Sequence, residues 1–85
     1  NNFEQIEKME VIALEVGLKI KKYLDKNGIS QAHLSRETGI DTVKLNLGLN
    51  GNRRFTFDEY CIICGVLGVN TDFFLKPRLP DKKGA

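Results

Sequence analysis

The stretch 30–54, SQAHLSRETGIDTVKLNLGLNGNRR, constrains the fold more than any other part of the chain, because it contains two short helix patterns joined by one glycine. In the first pattern, Ser30 is a favourable N-cap, a residue whose side chain accepts a hydrogen bond from the first turn of a helix. Ile29 and Leu34 have the spacing of a hydrophobic staple, in which the residue before the cap packs against the fourth helical residue. A helix is therefore predicted to begin at Gln31.

The second pattern repeats the first directly after Gly39, which can adopt a positive φ angle at no steric cost and so end a helix. Asp41 is the expected cap, and Ile40 and Leu45 have the staple spacing. This pattern predicts a second helix over 42–50. Two helices joined by so tight a turn must cross at a steep angle, which is the geometry of the helix-turn-helix motif that places its second helix in the major groove of DNA.

From the length of 85 residues we expect one small domain with a compact core and no second, effector-binding domain. The sequence has no apolar run of about 18 residues and no signal-peptide pattern, so no membrane association is expected. We therefore expect a soluble, cytoplasmic protein.

The charge of the chain is unevenly distributed, although the net charge is only +2. Residues 16–54 carry eight Lys or Arg against three acids, a net +5, whereas residues 1–15 and 55–75 each carry −3 and the tail 76–85 carries +3. A basic middle that coincides with the two-helix unit is typical of a phosphate-binding surface. The alternative is a charged face that is merely solvated.

The sequence contains no pattern for catalysis or metal binding. Cys61 and Cys64 form one C-x-x-C pair, but a zinc site takes four ligands, and the single histidine, His33, lies far away along the chain. We interpret the cysteines as buried free thiols and assign no metal, no disulfide and no cofactor. His33 falls at the third position of the predicted helix, where we expect it to face solvent. No acid or nucleophile has a spacing that would use it, so we expect no enzymatic activity.

The N-terminal part has the pattern of one long helix over 3–26, or of two helices that abut. Its apolar residues recur at three- and four-residue steps and form one stripe, which Leu24 widens: Phe3, Ile6, Met9, Ala13, Val16, Ile20 and Tyr23. Residues from Val16 onward supply the first helix of the domain, and residues 1–15 are predicted to be a helical extension. This extension could cover the core or act as a dimerisation arm.

Two further helices are predicted after the basic turn. Thr56 and Glu59 have the spacing of a capping box, in which each side chain accepts a hydrogen bond from the backbone of the other residue. This spacing predicts a helix over 57–67. Asn70 is the expected cap of a short fifth helix over 71–75, which the prolines that follow cannot continue.

Periodicity also predicts which faces of the central helices are buried. In the first, the core side consists of Ala32, Leu34 and Thr38. In the second, it consists of Leu45, Gly48 and Leu49, and the small Gly48 would allow a neighbouring helix to approach closely. The opposite face of the second helix consists of Thr42, Val43, Lys44, Asn46 and Leu47. Leu47 is ambiguous, since it could lie in the core, contact a second subunit, or touch a thymine methyl group.

Three segments resemble the phage-repressor-like helix-turn-helix domains of the Cro and lambda-repressor type, the XRE family: GISQAHLSRETGI, LNGNR and GVNTDFFL. The likeness covers residues 16–75. It implies an all-α, compact five-helix domain that binds operator DNA, usually as a two-fold homodimer. The extended N-terminal helix, with residues 1–15 as the extension, would precede this domain, and a flexible basic tail, 76–85, would follow it.

The resemblance also implies which residues contact DNA. It carries the family's phosphate-anchoring glutamine onto Gln31 and a phosphate-contacting asparagine onto Asn50. The base-facing positions fall on Thr42, Val43, Lys44, Asn46 and Leu47.

The chemistry of these side chains suits the implied roles. Asn46 can pair with adenine, Lys44 can reach the acceptors of guanine, and an apolar residue can meet a thymine methyl group. Gln31 lies at a helix N-terminus, whose free N–H groups favour a phosphate. The remaining phosphate contacts are expected from the turn after the second helix, at Asn52, Arg53 and Arg54.

Together these features predict a sequence-specific DNA-binding transcriptional regulator, expected to be a repressor, with helix 42–50 in the major groove of double-stranded DNA. The alternative is a protein-interaction module, such as an antitoxin or antirepressor, in which the same domain holds a protein partner. The acidic, apolar N-terminal segment and the cluster Phe73-Phe74-Leu75 favour that alternative.

Overall fold

The computed structural model describes residues 11–75, and these residues form four α-helices. They are α1 (Leu14–Asn27), α2 (Gln31–Thr38), α3 (Thr42–Leu49) and α4 (Phe57–Leu67). Helix α3 packs against both α1 and α2, and α4 packs against α2. The all-α class is therefore confirmed for the described part. No helix within residues 11–75 is long and apolar enough to cross a membrane.

The helix boundaries follow the capping residues that the sequence predicts. The side chain of Ser30 caps α2 and that of Asp41 caps α3. At α4, the hydroxyl of Thr56 accepts a hydrogen bond from the backbone of Glu59 (3.1 Å), and the Glu59 carboxylate accepts one from the backbone of Thr56 (2.9 Å), which confirms the capping box. Gly39 has φ of 78° and ends α2. These local bonds fix where α2 and α3 begin.

The core is formed by apolar side chains from all four helices, from the segments between them and from the segments that flank them. Its buried members are Ile12, Val16, Ile20, Leu24, Leu34, Ile40, Leu45, Leu49, Phe55, Tyr60, Ile63, Cys64 and Phe74. The predicted core side of α3 is confirmed, since Leu45, Gly48 and Leu49 are all buried. The core side predicted for α2 is wrong at Ala32, which is exposed. In α2, only Leu34 is buried.

Helices α1 and α3 cross at two glycines. A Cβ atom built on Gly17 would lie 1.9 Å from the carbonyl oxygen of Gly48, so only a residue without a side chain permits this approach. A Cβ atom on Gly48 would lie 2.3 Å from the ring of Phe55. Helix α1 does approach α3 closely at Gly48, as predicted, but the residue whose missing side chain permits the approach is Gly17. The missing side chain of Gly48 instead makes room for the ring of Phe55.

Of the two alternatives predicted for residues 3–26, one long helix is wrong, because residues 11–13 are not helical. A separate first helix before residue 11 lies outside the described residues. Helix α1 begins at Leu14, and Ala13 before it is extended (φ −65°, ψ 147°) and exposed. The backbone N–H of Ile12 donates a hydrogen bond to the carbonyl oxygen of Phe55 (2.9 Å), and the adjacent pair, Val11 and Thr56, forms an isolated antiparallel bridge. This pairing takes the backbone groups that a continuous helix would use, while the Ile12 side chain enters the core.

The predicted fifth helix over 71–75 is also wrong, because these residues form turns and bends. The backbone N–H of Phe73 donates to the carbonyl of Asn70 (3.0 Å), and the hydroxyl of Tyr60 donates to the carbonyl of Thr71. A five-residue helix forms too few backbone bonds to offset the cost of its first turn. Here the segment is held instead by buried Phe74. The predicted extension before residue 11 and the tail 76–85 lie outside the described residues.

Candidate nucleic-acid interface

The outer face of α3 is open to solvent along its whole length. All five residues that were predicted to face bases are exposed, namely Thr42, Val43, Lys44, Asn46 and Leu47. Val43 is 65% exposed and Leu47 is 39% exposed, so Leu47 does not belong to the core. An apolar side chain presented this way on a short helix is available for contact with another molecule. Two of the three roles left open for Leu47 remain, a subunit contact and a thymine methyl contact.

The start of α2 is tied to the outer face of α3 by one side-chain hydrogen bond. The Nδ2 atom of Asn46 donates to the Oε1 atom of Gln31 (3.1 Å). Gln31 is half-buried at the first position of α2, where backbone N–H groups of the first turn lack helical partners and favour anions. The structure thus brings together the residue expected to hold phosphate and the residue expected to read adenine.

The end of α3 extends this bonding towards α1. The amide nitrogen of Asn50 donates to the carbonyl oxygen of Asn46 (3.0 Å) and to its Oδ1 atom (3.3 Å), and the ammonium group of Lys21 donates to Oδ1 of Asn50 (2.9 Å). Lys21, Asn50, Asn46 and Gln31 therefore form a continuous set of hydrogen-bonded side chains, which we call the polar row. It links α1, α3 and α2 across one surface.

Lys21 was missed by the sequence-based prediction. The basic character of residues 16–54 indicated a cationic surface, but the sequence did not say which of the α1 lysines faces α3. In α1, Gly17 lies against Gly48, and Lys21 follows four residues later on the same face of the helix. Its ammonium group adds a cation to the end of the polar row.

The two arginines after α3 have different environments. The Nη1 atom of Arg53 lies 3.1 Å from a carboxylate oxygen of Glu59, and both side chains are largely covered. Arg54 and Asn52 are exposed. Burial raises the pKa of the Glu59 carboxyl group, but the hydrogen bonds from the Thr56 backbone and the Arg53 guanidinium outweigh it and hold that pKa below its ordinary value. Arg53 is thus a structural partner of α4, while Arg54 is directed to solvent.

The cysteines and the histidine lie outside this surface. Cys64 is buried, and burial raises the pKa of its thiol, whereas Cys61 is half-buried, so the prediction of two buried thiols is wrong for Cys61. His33 is exposed, and its backbone N–H donates to Ser30 (3.0 Å). Within residues 11–75, no group of three or more His, Cys, Asp or Glu residues is placed to hold a metal ion.

A capped α2, a tight glycine turn and a short α3 with one buried and one open face define the protein as a helix-turn-helix protein. The family model for the Cro/C1-type HTH DNA-binding domain matches residues 19–72, which is more than half of the chain. The chain belongs to this family, and the resemblance stated from the sequence is confirmed. The chain matches no curated protein and no solved structure.

Proposed function

We propose that the protein is a sequence-specific transcriptional regulator that represses by occupying an operator, with α3 in the major groove. The observation that carries this proposal is the bond between Asn46 and Gln31, because it joins a base-reading position to a phosphate-binding position. A DNA duplex presents both groups side by side, and phosphate contacts fix the register in which base edges are read. No covalent chemistry is required for this activity.

Asn46 retains the hydrogen-bonding capacity that an adenine contact needs. A side-chain amide has two N–H donors and two lone pairs on its oxygen. The bond to Gln31 uses one donor, and the bond from Asn50 uses one lone pair. One donor and one lone pair remain for N7 and the N6 amino group of adenine. The polar row would hold the amide in place before DNA arrives.

The other proposed contacts follow from exposure and charge. Lys44 would reach guanine, and Val43 and Leu47 would meet thymine methyl groups, with Thr42 at the start of the helix. Phosphates would be held by Gln31, Asn50, Asn52, Arg53 and Arg54, and by the cation of Lys21. This last residue is added from the structure.

Substitution of Asn46 by alanine tests the proposal. The preferred duplex is first selected from random DNA, and both affinities are then measured by fluorescence anisotropy at fixed salt. We expect Asn46→Ala to lose about 1–3 kcal/mol on the preferred site and much less on random duplex. Because Asn46 is exposed, the free energy of unfolding should change by less than about 0.5 kcal/mol. An equal loss on both duplexes would show that the residue reads no base.

We also propose that two copies bind one operator with half-sites about one helical turn apart, since a single module of this size buries little surface on DNA. Sedimentation of the complex with a labelled duplex should give two chains per operator. A saturated complex with one chain would contradict this.

A second candidate function is a protein-interaction module such as an antitoxin or antirepressor. It is favoured by Phe73, an aromatic residue that is 56% exposed next to buried Phe74. The Asn46→Ala measurement separates the two candidates, since a module that only borrows the fold should show no preferred duplex and no loss specific to one.

A further inference from the structure

An open groove of about 450 Å³ lies between α1 and the turn segment at residues 73–75 and contains none of the proposed DNA-contacting residues. Its walls consist of three lysines, three aromatic residues and Leu75. The lysines and aromatic residues are Lys19, Lys22, Lys26, Tyr23, Phe73 and Phe74. We call this feature the lysine–aromatic groove.

The aromatic rings of the groove are held in a fixed arrangement. The ring centroids of Tyr23 and Phe73 are 5.5 Å apart, those of Tyr23 and Phe74 are 5.6 Å apart, and those of Phe73 and Phe74 are 4.9 Å apart. All three pairs meet edge to face, the geometry that aromatic rings prefer. Phe74 is buried and anchors the set, whereas Phe73 is 56% exposed. The groove therefore offers a preformed apolar surface.

The charged residues that line the groove are all positive. Lys19, Lys22 and Lys26 succeed one another at steps of three and four residues and so share one side of α1. No carboxylate is among the residues that line the groove in the described part of the chain. An occupant that suits both features carries carboxylates for the lysines and a large apolar side chain for the rings.

The lysine–aromatic groove lies on the side of α1 that is opposite to α3. Successive residues of a helix are rotated by about 100°, so Lys19, Lys22 and Lys26 lie about 140–200° around α1 from Gly17. Gly17 is the residue that touches α3, at the carbonyl oxygen of Gly48. DNA bound at α3 would therefore not contact these three lysines. The aromatic rings of the groove also have no counterpart in a phosphate backbone, which is charged and polar.

We propose that this groove binds an acidic peptide segment of a partner protein, with a large apolar side chain against Phe73 and carboxylates at the lysines. The lysines at 19 and 26 are separated by about 10 Å along the helix axis, which an extended peptide spans in about three residues. A motif of four or five residues is therefore sufficient. Because the groove and the polar row lie on different sides of α1, the protein holds this segment and DNA at the same time.

The test is a titration of the full chain with the fluorescent peptide Glu-Glu-Phe-Glu-Glu, blocked at both ends. Replacing Lys22 and Lys26 by glutamine should weaken peptide binding about tenfold, since two partly exposed ion pairs are lost. The matched control is the double variant Lys21→Gln/Lys44→Gln, which removes the same charge from the DNA-facing side. The control variant should have a peptide affinity within about twofold of that of the parent and a weaker affinity for DNA. The groove variant should have a weaker affinity for the peptide and an unchanged affinity for DNA.

Two further measurements locate the peptide. Phe73→Ser and the peptide with serine in place of phenylalanine should each weaken binding, because each removes one side of the apolar contact. Saturating preferred duplex should leave the peptide bound. Three results would overturn the proposal and leave the groove as only a cationic surface. The serine peptide would bind as tightly as the parent peptide, both double variants would lose the same affinity for the parent peptide, or the duplex would displace the parent peptide. The peptide affinities of the parent and of the variants do not depend on whether α3 reads bases.

Discussion

The two faces of α3 differ in what fixes them, although they belong to the same eight residues. On the inner face, Leu45 and Leu49 are fully buried and Gly48 lies against α1. On the outer face, the side chains are exposed and the polar row supplies the hydrogen bonds that hold Asn46. The inner face therefore holds α3 in the fold, and the outer face is available for contact with DNA. Changes on the inner face should alter stability, and changes on the outer face should alter DNA binding.

The largest expected effect comes from filling the glycine crossing beneath the inner face. In Gly17→Ala the new methyl group would lie 1.9 Å from the backbone carbonyl oxygen of Gly48, which cannot swing away as a flexible side chain could. We expect a loss of about 1–3 kcal/mol in the free energy of unfolding, measured by urea denaturation. DNA affinity should fall as well, because α3 must move to relieve the contact.

Gly65→Ala is the matched control for this change. Gly65 lies inside α4, and a Cβ atom there would meet nothing within 4 Å. Alanine is the better helix former, so this variant should be more stable than the parent by about 0.5–1 kcal/mol. If both alanine variants gave the same change in stability, the crossing of α1 and α3 would not depend on close contact at Gly17.

The inner face of α3 and the starts of α2, α3 and α4 could be predicted because they depend on residues that lie within a few positions of one another in the sequence. A capping residue precedes each of α2, α3 and α4, and all three helices begin where it predicts. A fourth cap was predicted at Asn70, where only a turn forms. A cap can start a helix only where enough residues follow to repay the cost of nucleation. Residues 71–75 do not provide them, and aromatic packing decides their conformation.

The parts that could not be predicted depend on contacts between distant residues. The bridge between Val11 and Thr56 involves a single pair of residues, so it leaves no periodic pattern in the sequence. The place of Lys21 in the polar row depends on how α1 is rotated against α3. By contrast, the exposed residues of α3 followed directly from helical periodicity. Their contacts with DNA remain predictions.

The contrast between inner and outer positions extends to the two arginines after α3, and Glu59 tests the inner one. Glu59 receives hydrogen bonds from Thr56 and Arg53, so Glu59→Gln should cost about 1 kcal/mol at neutral pH. Because the pKa of Glu59 is lowered on folding, its carboxylate stabilises the fold above the ordinary value of 4.5, and this contribution is lost as the pH falls through the lowered pKa.

Thermal unfolding of the parent and of Glu59→Gln across this pH range would show the effect. The difference between the two proteins should be constant near neutral pH and should shrink in acid. Asp58→Asn is the control, because Asp58 is exposed and has no part in the capping box. A difference between parent and Glu59→Gln that persisted undiminished in acid would mean that the charge of Glu59 does not hold Arg53.

The smallest expected change in stability is at Arg54, the outer arginine. Arg54→Ala removes an exposed side chain, so the free energy of unfolding should change by less than about 0.5 kcal/mol. If Arg54 neutralises one phosphate, the plot of the logarithm of the DNA association constant against the logarithm of the salt concentration should be less steep by about one in Arg54→Ala. The change should be the same for preferred and random duplex. Arg53→Ala is the comparison. It breaks the contact with Glu59 and should therefore reduce stability as well. An unchanged salt slope in Arg54→Ala would remove this arginine from the DNA surface, and the loop after α3 would then serve only to join α3 to α4.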